Sequence, residues 1–339
     1  MKIMRRILQT VVSLLLILPA WNAFAASECE ADGDVQFLCG PISPEDLAQI
    51  LDSPWIVASG MEDDGYLYFT NSDELSSIAV YPGTNANHQA NSRYADCPGP
   101  LTSGFHPHGV NLVPGENGIH TLLVVRHGDR ESIEIFEVSE TNSTPELTWI
   151  GCVMAPDGIV FNSVVATPDQ GMAATHMNLP MGAVYEWQQG VGWEQVPGSE
   201  SAGPNGIEIS PDGNWFYIGG WGTRSIIKLS RGQSEVVVDS VDLPHHVDNV
   251  RWSIDGSLLA AGHVGPEVNS IIACLSQQQC DGVSTRVTRV DVNNLTAREI
   301  INYPSNPRFL LGTVAIEVGD EVWVGGIAGS NRIARFEYR

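Results

Sequence analysis

The sequence predicts an all-β fold, a six-bladed β-propeller. Long helical periodicity is scarce, and one short plan recurs along the chain. "EDDGYLYFTNS", "GENGIHTLLVVRH", "TPDQGMAATHM", "SPDGNWFYIGGW", "SIDGSLLAAGHV" and "VGDEVWVGGIAG" each run from a polar turn into an apolar strand and on to small or polar residues. The copies stand roughly forty to sixty residues apart, near the range of propeller blades. Such a unit cannot bury its faces alone and must pack against its neighbours. The even repetition favours a closed ring over a β-sandwich.

The elements can be taken in order. Residues 1–25 read as a secretory signal: Lys2, Arg5 and Arg6, then an apolar run, then Ala-Phe-Ala. The run is short for a bilayer span, and nothing later is apolar enough for one. Residues 26–50 read as an N-terminal arm and residues 51–339 as the propeller. Within "SPEDLAQILDS" a helix is expected, with Ser43 as N-cap and Glu45 and Asp46 in the first turn. Each recurring unit then supplies the inner hairpin of a blade. "ESIEIFEV", "SIIKLS" and "NRIARFEY" follow as outer strands.

Composition narrows the partners and the compartment. The chain carries 17 Lys and Arg against 40 Asp and Glu, a formal net charge of -23. That disfavours a phosphate backbone, so no nucleic-acid partner is expected. Six cysteines follow the signal. In an exported protein, secreted or periplasmic, they predict disulfides: of the 15 pairings that six cysteines allow, Cys274–Cys280 and Cys29–Cys39 close short loops and leave Cys97 with Cys152. Asn142 and Asn294 are glycosylation acceptors in a host that glycosylates.

In a propeller the innermost strands line a channel, so residues far apart in sequence can form one site. Near the inner strand of four repeats stands an oxygen donor: Glu62 and Asp63, Asn162, Asn205, Asp248 and Asn249. Carboxylate and amide oxygens without thiolates suit calcium. Taken singly, each is more readily a turn residue; the recurrence carries the reading. "FHPHGV" and "LLVVRHGD" add His108 and His127, which could meet as a base and its partner. His106, His108 and His127 also leave a three-nitrogen zinc site open. No G-x-S-x-G is present, which counts against a serine nucleophile of that type.

These segments resemble the paraoxonases, calcium-dependent lactonases and arylesterases. "SGMED", "FHPHGVNL", "LLVVRH", "NGIEISPDGNWFYI", "VDNVRW" and "GTVAIEVGDEVWVGG" fall in that family's order, from about Leu51 to the C-terminus. The Asn-Gly and Ser-Pro-Asp-Gly pieces are shared with the wider gluconolactonase and strictosidine-synthase-like propellers. The resemblance implies a catalytic calcium held by Glu62, Asn162, Asn205, Asp248 and Asn249. His108 would be the general base, His127 its partner and His263 a further pocket histidine. It also implies a second, buried calcium on Asp63 and the Val110 carbonyl. The third ligand should be an aspartate after Asn162, where this chain has Ser163, and a lost carboxylate weakens such a site. The implied substrate is a small lactone or ester, with no stable membrane anchor. Two other readings stay open: a calcium-binding scaffold without catalysis, and a sugar-lactone hydrolase using Asp248 as base.

Overall fold

The computed structural model describes residues 30–83, 86–100, 103–140 and 143–338. Six antiparallel sheets follow one another around a ring, five with four strands and one with an added short edge strand. The innermost strands, blade by blade, are Pro44–Gln49, Phe105–Val113, Val164–Ala166, Pro204–Ile209, His246–Trp252 and Leu311–Val318. Each blade then runs outward in chain order. The sixth is completed from the other end of the chain: Gln36–Cys39 pairs antiparallel with Arg332–Glu337. The expected outer strands fall at Ser132–Ser139, Ser225–Ser230 and Arg332–Glu337, each third in its blade.

The apolar core is divided into six, one between each pair of adjacent blades. Leu122, Val124 and Phe136 of the second blade meet Val57 and Phe69 of the first. Ile207, Phe216 and Ile218 of the fourth meet Val165 and Val184 of the third. The circuit closes where Val314 and Trp323 of the sixth meet Leu47 and Ile56 of the first. Fully burying one such side chain stabilises by about 1.5–3 kcal/mol. A seventh cluster lies elsewhere, around Trp221, Ile271, Leu311 and Ile327.

Two expectations are corrected. Pro44–Gln49 is a strand, not a helix, and it is buried at five of its six positions. Leu47 enters the core shared with the sixth blade and Ala48 the core shared with the second. Burial on alternate sides overrides the local preference for a helix. The stretch read as an arm therefore supplies strands to two blades. The first recurring unit is consequently displaced by one strand: the turn at Glu62–Gly65 joins the second and third strands of its blade, whereas the other five join first to second.

The α-helix of the described residues lies at Val268–Gln277, between the second and third strands of the fifth blade. Gln278 ends it in the left-handed region, its N–H meeting the carbonyls of Ala273 and Cys274. Disulfides join Cys274 to Cys280 and Cys97 to Cys152, as expected. Cys39 is disulfide-bonded; Cys29, its expected partner, lies outside the described residues. So do the signal at residues 1–25 and Asn142. Among the described residues no helix is long and apolar enough to cross a membrane.

Candidate functional site

The site is built by a recurring backbone irregularity. In five of the six blades the pairing of the first two strands slips within the inner strand. The slips fall between Pro44 and Asp46, Pro107 and Val110, Pro204 and Ile207, Val247 and Val250, and Gly312 and Val314. A bulge leaves residues outside the ladder and re-aims their side chains. The residues it spans here are Glu45, His108, Asn205, Asp248, Asn249 and Thr313. In the third blade the inner strand starts late, and Asn162 stands just before it.

Glycine lets these strands converge. A Cβ at Gly109 would lie 2.6 Å from the Asn162 carbonyl oxygen, and one at Gly206 would lie 2.7 Å from Asn249 Cα. Neither glycine is therefore replaceable without shifting the neighbouring strand. Asn205-Gly206, which reads as a turn, lies inside a strand where two blades touch.

The convergence is tight. Asn249 Nδ2 donates to Glu45 Oε1 at 2.6 Å. Glu45 Oε1 stands 3.7 Å from His108 Nε2, and Asn162 Nδ2 stands 3.4 Å from the same nitrogen. Asp248 lies against the neighbouring inner strand, where a Cβ at Gly206 would stand 2.7 Å from its carbonyl oxygen. Thr313 Oγ1 donates to the Glu45 carbonyl at 2.6 Å. All these side chains and that of Asn205 are buried. Four of their oxygens, Glu45 Oε2, Asn162 Oδ1, Asn205 Oδ1 and Asn249 Oδ1, have no hydrogen-bond partner among the described residues. A buried polar atom left unpaired costs about 1–3 kcal/mol, so four in one cluster of donors for a hard cation are the pattern a bound cation relieves.

Beside the oxygens runs a chain of three side chains. His108 Nδ1 and His127 Nε2 are 2.9 Å apart. His127 Nδ1 and Glu131 Oε2 are 2.7 Å apart. A carboxylate only accepts, so His127 carries its proton on Nδ1. Its Nε2 then accepts from His108 Nδ1–H, which leaves His108 Nε2, the nitrogen facing Asn162 and Glu45, as an acceptor. These bonds occupy the facing nitrogens of His108 and His127, while His106 Nδ1 lies 3.4 Å from Asp63. No three-histidine zinc arrangement results.

Burial dominates the electrostatics. It holds the Glu45 carboxyl well above its usual range, with Asp46 and Asp248 adding to the rise. It pushes Asp248 up to about 8, Asp46 adding again. His108 is held well below the ordinary imidazole value by burial and by His127 and His106, so it is neutral at neutral pH. His263 lies 3.9 Å from Asp248 and accepts from Trp221 Nε1–H at 3.0 Å. Burial lowers it to about 4. Through Trp221 the site adjoins the seventh apolar cluster, with Met61, Met177 and Leu310 at its border.

The structure brings together Asn162, Asn205, Asp248, Asn249, His108, His127 and His263. It does not bring Glu62 or Asp63 to them. Glu62 accepts from Ser43 Oγ at 2.5 Å and lines a surface cavity with Leu275 and Ala328. Asp63 has a fully exposed side chain. Their places are taken by Glu45 and by Asp46, whose carboxylate accepts from Val110 N–H at 2.8 Å. The Val110 carbonyl accepts from the Arg251 guanidinium at 2.6 Å. Sequence reasoning missed Glu45 and Asp46 by reading a helix. It missed Glu131, although His-x-x-x-Glu across a tight turn was a visible signal.

Comparison with known proteins agrees with the ring. Residues 58–309 match the family model of the SMP-30/gluconolactonase/LRE-like region. Human serum paraoxonase/arylesterase 1 is 31% identical over 133 residues, 34% of this chain and 36% of that protein; the match spans about a third of the relative's length. Among solved structures, a protein described as a putative gluconolactonase superposes with TM-score 0.55 at 12% identity, covering 90% of this chain and 91% of that one. Regucalcin from Agrobacterium tumefaciens, described as a calcium-binding protein, gives 0.52 at 12% identity, covering 93% and 94%. At such identities these structures establish the fold. The match to the family model covers most of the chain, and the chain belongs to the SMP-30/gluconolactonase/LRE-like family.

Proposed function

We propose that the protein is a calcium-dependent hydrolase of lactones or aryl esters. The observation that carries the reading is the convergence of four unpartnered buried oxygens beside Asp248 and against a histidine chain with a free acceptor nitrogen. Membership of a family described by gluconolactonase supports the reaction class. The partial likeness to paraoxonase/arylesterase supports the ester alternative.

Glu45, Asn162, Asn205, Asp248 and Asn249 would hold the calcium. Bound there, the ion supplies Lewis-acid polarisation of a carbonyl and stabilisation of the developing oxyanion. The two carboxylates carry the site's negative charge, and the three amides add oxygens without further charge. His108 takes a proton at Nε2 from the attacking water. His127 accepts from His108 Nδ1–H and holds the ring in the tautomer that leaves Nε2 free. Glu131 holds His127 in turn and stabilises the imidazolium that forms. Trp221 holds His263 beside Asp248, and the apolar cluster around Trp221 offers a wall to the non-reacting part of the substrate.

The test is hydrolysis of a panel of lactones and aryl esters by the purified protein, with calcium and then with chelator. Turnover that needs calcium and is abolished in His108→Gln, with calcium affinity retained, is the expected result. Calcium binding without turnover favours a binding scaffold. Turnover that survives His108→Gln but not Asp248→Ala favours a sugar-lactone hydrolase with Asp248 as base.

A further inference from the structure

One layer away from the candidate site, buried polar groups again gather around a positive charge, but the charge is a side chain. Arg251 lies on the inner strand of the fifth blade and is 7% exposed. Its Nη2 bonds the Asp46 carboxylate and donates to the Val110 carbonyl at 2.6 Å. Nε donates to the Leu47 carbonyl at 3.1 Å. Nη1 donates to the Val250 carbonyl at 2.9 Å and reaches Glu208 at 3.5 Å. One guanidinium thereby ties together the inner strands of the first, second, fourth and fifth blades.

The acceptors are those a hard cation would use: a carboxylate and backbone carbonyls. Two more lone pairs of Asp46 accept from the N–H groups of Leu47 and Val110, each at 2.8 Å. In the third blade Ser163, directly after Asn162, is fully buried, with no hydrogen-bond partner for its hydroxyl among the described residues. Two buried carboxylates, Asp46 on Nη2 and Glu208 at 3.5 Å from Nη1, thus face one permanent monovalent cation. Nothing here fits a further divalent ion, since the carbonyl of Val110 and the carboxylate of Asp46 both face the guanidinium. The expected second calcium on Asp63 and Val110 is overturned on the same grounds.

We propose that Arg251 is a built-in replacement for a second metal ion: a covalently attached cation that fixes the channel beneath the candidate site. By holding Asp46 it positions the adjoining Glu45, so Arg251 is a positioning residue. It also lines a cavity with Leu47, Asn111 and Trp252, where the inner strands end. The ring is therefore braced around its channel without a metal at this level. The replacement of a metal rests on Arg251 and Asp46 alone, and only the positioning of Glu45 rests on the reading of the upper site.

The test counts cations and follows melting. Wild-type protein, stripped with chelator and dialysed against calcium, is expected to hold no more than one tightly bound calcium by elemental analysis. Two tightly bound ions per chain would overturn the proposal. Zero would remove the upper calcium site and leave the present assignment standing. Arg251→Ser is expected to melt about 5 °C or more below wild type in chelator, and to bind one calcium more than wild type, with melting partly restored by millimolar calcium. A folded Arg251→Ser protein that melts like wild type would overturn the proposal. Should that variant fail to fold, Arg251→Lys keeps the charge but loses the fork. It is expected to fold with lowered melting and an unchanged calcium count, and wild-type melting for it would count against the proposal.

Discussion

Asn249 Nδ2 donates to Glu45 Oε1 at 2.6 Å, joining the fifth blade to the first. The bond turns the second oxygen of Glu45 and the amide oxygen of Asn249 to face the cluster without protein partners. Glu45→Gln keeps the shape and removes the charge, and it should weaken calcium binding at least about tenfold, by isothermal titration. Glu62→Gln should leave the affinity unchanged. The opposite ranking of the two variants would restore Glu62 as the ligand and remove Glu45.

Glu131 is half-exposed and lies across a turn from His127, with which it shares a 2.7 Å bond. Glu131→Gln should lower kcat for the best lactone substrate about tenfold and barely move KM, because the group orients the base and does not touch substrate. Glu131→Asp should recover part of the loss. Equal loss in kcat and gain in KM would point to a role in substrate binding.

The buried histidines should withdraw stability in acid, against the buried carboxylates of Asp248 and Glu208, whose raised values of about 8 and about 7 act in the opposite sense. Burial pushes His245 down to about 3 and His263 to about 4. Both are native in the neutral form, whereas the unfolded chain takes up protons below its ordinary value near 6.5. Their contribution is therefore whole above about pH 6.5 and is lost as pH falls towards 3. His245 alone should cost about 2 kcal/mol by pH 5. Urea denaturation of wild type and His245→Phe at pH 7 and at pH 5 isolates this: between the two pH values the wild type should lose about 2 kcal/mol relative to the variant. An equal change in the two proteins would move the sensitivity to other groups.

The two described disulfides should differ in worth. Cys97–Cys152 spans 55 residues and Cys274–Cys280 spans 6. Loop entropy alone gives about 4 kcal/mol for the first and about 2 kcal/mol for the second. Paired Cys→Ala variants should therefore lose more stability at the longer bridge. Equal losses would mean that native contacts around the short bridge, and not loop length, set its value.

Much of this architecture is legible before folding. Five turn-and-strand units mark five blades because the inner hairpin repeats with its polar turn. Asn162, Asn205, Asp248 and His108 are legible because they recur at matching places before or within those hairpins. The innermost strand of the first blade is hidden because its two faces enter two different cores, which removes the alternation that marks a half-buried strand. Its Glu45 and Asp46 then look like charges in an exposed first helical turn. Arg251 is hidden for a related reason: in "VDNVRW" nothing local distinguishes a surface arginine from one drawn inward by three neighbouring strands.

The pairing of Gln36–Cys39 with Arg332–Glu337 also has a bearing on biogenesis. The blade that locks the circle needs the first and the last strands of the ring. As the chain emerges, every earlier blade can associate with its predecessor, but Gln36–Cys39 has no mate until Arg332–Glu337 is delivered. For that interval the molecule is an open arc with a sticky rim, vulnerable to neighbours in the same state. Loss of either of these two strands should therefore damage the assembly out of proportion to the few residues removed.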